Sequence, residues 1–127
     1  VSGGEISSPP ASIGVHGFRE LDAYRRAVDL ANEVFELSAR WESFERWTLG
    51  VELIRAADSM AANIAESTGR WHTADRRRLL FIARGSLNET EHWLLVAEER
   101  GLLPTGYSAR ISEIGRPLSG LINRAVP

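Results

Sequence analysis

Glu89 and His92 stand with two residues between them in the segment Glu89-Thr90-Glu91-His92. Glu-x-x-His puts a carboxylate and an imidazole on one side of a helix. Di-iron carboxylate bundles use that pair twice, with two further carboxylates, to hold their metals. Here it occurs once. His16 and His72 are the other histidines, one near the N-terminus and one in a segment that reads as a loop. A metal site would have to be built from Glu66, Glu89 and His92 alone, so a solvated helix face is the better reading and no metal or cofactor is called for. Ser59, Ser67 and Ser86 have no histidine with a carboxylate partner in any readable motif, which leaves nucleophilic catalysis without its base. Neither G-x-x-x-x-G-K-[ST] nor G-x-G-x-x-G occurs, so nucleotide binding has no signature. Together these absences predict a protein that is not an enzyme.

Two other groups of polar residues ask for an explanation. In AANIAESTGR (61–70), Asn63 and Glu66 sit among small residues on a helix that looks built for close packing. Three apart, they share a face, and Ser86, Glu89 and Thr90 lie across the chain reversal. A buried polar group needs partners, so Asn63, Glu66, Ser86 and Glu89 are expected to form a structural polar network. That network would tie the helix end to its loop, to the next helix or to a neighbouring subunit. The second group is basic: Arg70, Arg76, Arg77, Arg78 and Arg84. Consecutive helical residues point about 100° apart, so Arg76, Arg77 and Arg78 cannot form one stripe. Pairing with Glu66, Asp58 and Asp75 is the favoured expectation; contact with RNA or DNA phosphates is the alternative.

The elements that must position these residues are helices. The chain has 127 residues, 43% of them hydrophobic, enough for one domain with a core. It has no cysteine, hence no disulfide or thiolate metal site, which fits a reducing, cytoplasmic setting. No apolar run is long enough to span a membrane. The net charge is −2, against a strongly basic nucleic-acid binder. All fifteen basic residues are arginine. Residues 1–16, rich in glycine, serine and proline, read as a disordered tail without a secretory signal, and residues 17–127 as the folded domain.

Helical periodicity appears four times. The first helix is expected from Phe18 to Arg40, with one seam of Leu21, Tyr24, Val28, Ala31, Phe35 and Ser38. A second seam beside it (Ala27, Leu30, Val34, Leu37, Trp41) makes the apolar face unusually wide. After a break at WESFER, the second helix runs from Trp47 to Ser67, with Gly69 as a left-handed stop. Thr73 reads as the N-cap of the third helix, which ends at Gly101. The fourth spans Tyr107 to Ala125, and Pro117 should kink it. With short connections, these predict an all-α fold, an antiparallel up-down-up-down four-helix bundle.

Four stretches carry a family resemblance: FREL with YRRAVDLANEVFEL, LGVELIRAADSMAANIAESTGR, RRLLFIARGSLNETEHWLLVAEERGLL and PLSGLINRAV. The pattern R-A-A-x-S-x-x-x-N-I-A-E-x-x-G-R, joined to A-x-G-S-L-x-E-x-E, resembles the bundle proteins encoded in intervening sequences of bacterial 23S ribosomal RNA genes. The resemblance covers about residues 18 to 125. Met60 and Ser67 depart from it, where isoleucine and glycine are usual, as do Trp71 and His72 in the loop. It implies a four-helix bundle, often a homopentamer, with no established enzymatic activity. It also implies a relation to the accessory variability determinant proteins of diversity-generating retroelements, pentamers that partner a reverse transcriptase and RNA.

The expected function is therefore a self-assembling scaffold or adaptor for another macromolecule, protein or nucleic acid. Five copies of the arginine cluster around a ring would make a basic collar. The residues expected at the subunit interface are the second seam of the first helix (Leu30, Val34, Leu37 and Trp41), together with Trp47, Trp71, Phe81 and Leu95. Tryptophan in particular is enriched at such surfaces.

Overall fold

The computed structural model describes residues 17–125. The tail expected at 1–16 lies outside the described residues. A short 3-10 turn, Gly17–Glu20, leads into α1 (Asp22–Ser38). The chain reverses at 39–42 and becomes helical again at Ser43–Glu45. It then widens through a π turn, Arg46–Gly50, and continues as α2 (Val51–Thr68). α3 (Thr73–Glu99) is the longest helix at 27 residues, about 40 Å. A 3-10 turn, Tyr107–Ile111, opens α4 (Ser112–Arg124). Each helix packs against its neighbour in sequence and α4 closes back on α1, which gives the up-down-up-down bundle.

The core runs the length of the bundle. Leu30 and Val34 meet Leu53, Met60 and Ile64 of α2, Leu80, Leu87 and Leu94 of α3, and Ile114 and Leu118 of α4. Alanines 23, 27, 31, 56, 57, 61, 83 and 97 are also buried, and let the helices approach closely. The two seams of α1 have an internal explanation. α1 lies between α2 and α4, so it needs two apolar strips, one for each. Leu30 and Val34, expected at a subunit interface, are each 1% exposed. Leu37 and Trp41 are partly buried against the same core. Phe35, expected inside, faces out.

Helix ends differ from expectation in instructive ways. The break at 39–42 takes in only the first two residues of WESFER, because the chain is helical again from Ser43. Gly69 closes α2 at φ −88°, in the ordinary right-handed region. The left-handed stop is Gly101, φ +77°. There the Leu102 and Gly101 N–H groups donate to Ala97 O (2.8 Å) and Glu98 O (3.0 Å), the paired bonds of a Schellman ending. His72, not Thr73, occupies the N-cap position of α3, with no side-chain cap. The Thr73 hydroxyl instead accepts from Arg76 Nη2 at 3.1 Å. Pro117 lies inside α4, which continues past it to Arg124.

Candidate functional site

The four residues expected as one polar network separate into three groups. Asn63 Nδ2 donates to Ser59 O (2.8 Å) and Ser59 Oγ (3.0 Å), and Ser59 Oγ meets Ser86 Oγ at 2.7 Å. This link between α2 and α3 is partly buried and fixes their register, with Ser59 as its hub. Glu89 accepts from Arg55 Nη2 at 2.6 Å and Trp93 Nε1 at 3.3 Å. Those two bonds, with Trp93 the larger influence, hold the Glu89 carboxyl below its usual range. Glu66 turns to Arg70 at the helix end and stays exposed. The register-fixing role expected of the region belongs to Asn63 and Ser86, and Glu66 takes no part in it.

The arginines part company. Arg76 is only 9% exposed. Its Nη1 donates to Arg70 O (3.0 Å) and Trp71 O (2.8 Å), so it closes the α2–α3 loop from inside. Arg77 Nη1 reaches Ile122 O at 3.2 Å and Ala125 O at 3.5 Å, capping the C-terminal end of α4. Arg78 pairs with Asp75 at 3.6 Å, and Arg70 with Glu66. Arg84 lies over the Phe81 ring, 4.9 Å from its centroid, and Arg77 over the same ring at 5.2 Å. The cluster thus points in several directions and is largely occupied by its own chain.

Among the described residues, Ser59, Ser67 and Ser86 hydrogen-bond to no histidine or carboxylate. Ser67 Oγ donates to Ile64 O within its own helix, and Ser59 and Ser86 bond each other. His92 packs edge-on against Trp93, and His72 precedes α3. Among the described residues, no three His, Asp or Glu side chains gather where a metal ion would sit.

The exposed apolar residues are more coherent. Phe44 is 75% exposed, Trp47 67% and Val51 42%. Their spacings of three and four run along the turns that lead into α2, on the side away from the core. Trp71, Phe81 and Leu95 are also exposed, as are Phe35 and Ile82. Phe44 was missed in the sequence because it sits in WESFER, which reads as a break, and without a helix through that segment its spacing to Trp47 carries no meaning. Val51, four residues after Trp47 on the expected second helix, was legible there but was not singled out.

Four antiparallel helices, a core of leucine and alanine, and polar links that fix register define a four-helix-bundle protein. The model of the 23S rRNA-intervening sequence protein family matches residues 19–124. The chain belongs to that family. No curated protein matches it.

Proposed function

We propose that the protein is a non-enzymatic, self-assembling bundle that serves as a scaffold or adaptor. Its subunits meet through the exposed apolar side of the segment leading into α2. The observation that carries this reading is the Phe44–Trp47–Val51 stripe, two aromatic rings more than half exposed beside a branched aliphatic residue. Three exposed apolar residues within eight positions form the kind of patch that interfaces cover. A second copy is the occupant, since the related bundles are often homopentamers.

The nucleic-acid reading draws less support. Arg76 is buried, Arg77 caps α4, and Arg70 and Arg78 are paired with acids. Of the five arginines, Arg84 is the exposed one without an acidic partner among the described residues, and it stacks on Phe81.

The test is a native mass spectrum of the full chain at low salt, beside that of Trp47→Ser. The expected result is a mass near five chains for the parent and a shift toward single chains for the variant. A parent that is monomeric at every concentration overturns the reading. Extra mass removed by nuclease would put nucleic-acid binding in its place.

A further inference from the structure

At one end of the bundle, α1 begins, α2 ends, α3 begins and α4 ends. Between them lies a half-enclosed pocket of about 490 Å³. That volume falls within the range of small-molecule sites, about 300–1,000 Å³. Its walls are Leu21, Leu80, Leu121 and Ala125, one residue or more from the start of α1, from α3 and from the end of α4. Ser67 and Thr68 line it from the last turn of α2, but both hydroxyls donate to their own helix, to Ile64 O and Ala65 O. They therefore present acceptor lone pairs and little donor capacity. Among the described residues, the two charged members of the lining are Arg76 and Arg124, and no carboxylate lines it.

Arg76 is the unusual member. The residue as a whole is 9% exposed, and its guanidinium has no acidic partner among the described residues. Three of its five N–H groups are accounted for: both on Nη1, to Arg70 O and Trp71 O, and one on Nη2, to Thr73 Oγ1. Among the described residues, Nε–H and the second Nη2–H have no acceptor. Nε and Nη2 flank one edge of the planar group, the edge that can grip a carboxylate with two parallel bonds. A buried cation gains most from a partner that supplies both charge and hydrogen-bond acceptors.

We infer that this pocket binds a small amphipathic carboxylate, with its apolar body against Leu21, Leu80, Leu121 and Ala125 and its carboxylate held between Arg76 and Arg124. Charge complementarity selects the head, since two cations and, among the described residues, no anion line the site. The apolar walls select the body, and they separate this ligand from a bare inorganic anion. The inference stands apart from the assembly reading, because Phe44, Trp47 and Val51 take no part in the pocket.

The experiment is isothermal titration of the full chain with decanoate below its micelle concentration, with decan-1-ol and inorganic phosphate as comparisons. Arg76 holds the loop, so its removal could unfold the site; Arg124→Glu and Ala125→Trp are the variants to use, each at the exposed end of α4. Saturable binding of one decanoate per chain is expected, with decan-1-ol and phosphate each weaker by about tenfold or more. Arg124→Glu should weaken decanoate by about tenfold, and Ala125→Trp, which fills the mouth, should abolish binding while the helical signal is unchanged. No saturable heat with decanoate overturns the inference. So does decan-1-ol or phosphate binding as tightly, or decanoate binding to Ala125→Trp as to the parent.

Discussion

Glu98 holds the corner between α3 and α4 with both carboxylate oxygens, accepting from Gly106 N at 3.0 Å and Ser108 N at 2.6 Å. Bonds from Ser108 first, and then from the Gly106 N–H, hold its carboxyl below the usual range. The sign follows from linkage. An acid whose folded pKa is depressed adds stability above its unfolded value, near 4.3, and loses it as pH falls through the folded value. Glu98→Gln should therefore lower Tm at pH 7, and the gap to the parent should close as the pH is taken below about 4. Thermal unfolding from pH 7 to pH 3 checks this; a gap independent of pH would mean the carboxylate charge is not what holds the loop. Nothing in the sequence marked Glu98, because its partners are backbone groups brought near by a loop whose path only the structure fixes. Asn63 and Ser86 were legible as polar residues needing partners. Ser59, which joins them, was not, because a serine on a helix is as well satisfied by its own backbone.

At the scale of elements, the heptad-like spacings located all four helices, and errors gathered where a helix has two neighbours or an irregular turn. The wide face of α1 was visible, but an apolar residue looks the same whether it meets the next helix or the next subunit. Leu30 sits at 1% exposure inside the bundle, with Val34 beside it. Leu30→Ala should accordingly cost about 2–5 kcal/mol in unfolding free energy, measured by urea titration. A loss under about 1 kcal/mol, with dissociation of subunits instead, would return Leu30 to the interface. Pro117 offers the opposite case. In the interior of α4 it deprives the Glu113 carbonyl of the usual i+4 donor, at about 3 kcal/mol, partly offset by about 1 kcal/mol from the stiffer unfolded chain. Pro117→Ala should raise stability by about 1–2 kcal/mol in the same titration, the difference between those two effects. A decrease would mean that packing around the ring outweighs the missing bond.

For the whole molecule, the question is what covers the aromatic stripe ahead of α2. The bundle satisfies its core within one chain: the largest buried side chains, Leu30, Leu53, Met60, Ile64 and Leu94, all belong to one continuous cluster. The core therefore closes within a single chain, and the proposed assembly would add to a stability the chain already has. That separation has a measurable consequence. If copies bind only in the folded state, mass action makes the unfolding temperature rise with protein concentration. The parent should show such a rise over a hundredfold range of concentration, and Trp47→Ser should unfold at one temperature throughout. At the lowest concentration, where assembly is weakest, the two proteins should converge, because Trp47 is 67% exposed and contributes little to the core. A variant that is less stable than the parent by the same margin at every concentration would place Trp47 in the stability of the single chain. The interface would then have to be sought at Trp71, Phe81 and Leu95 on the other exposed faces.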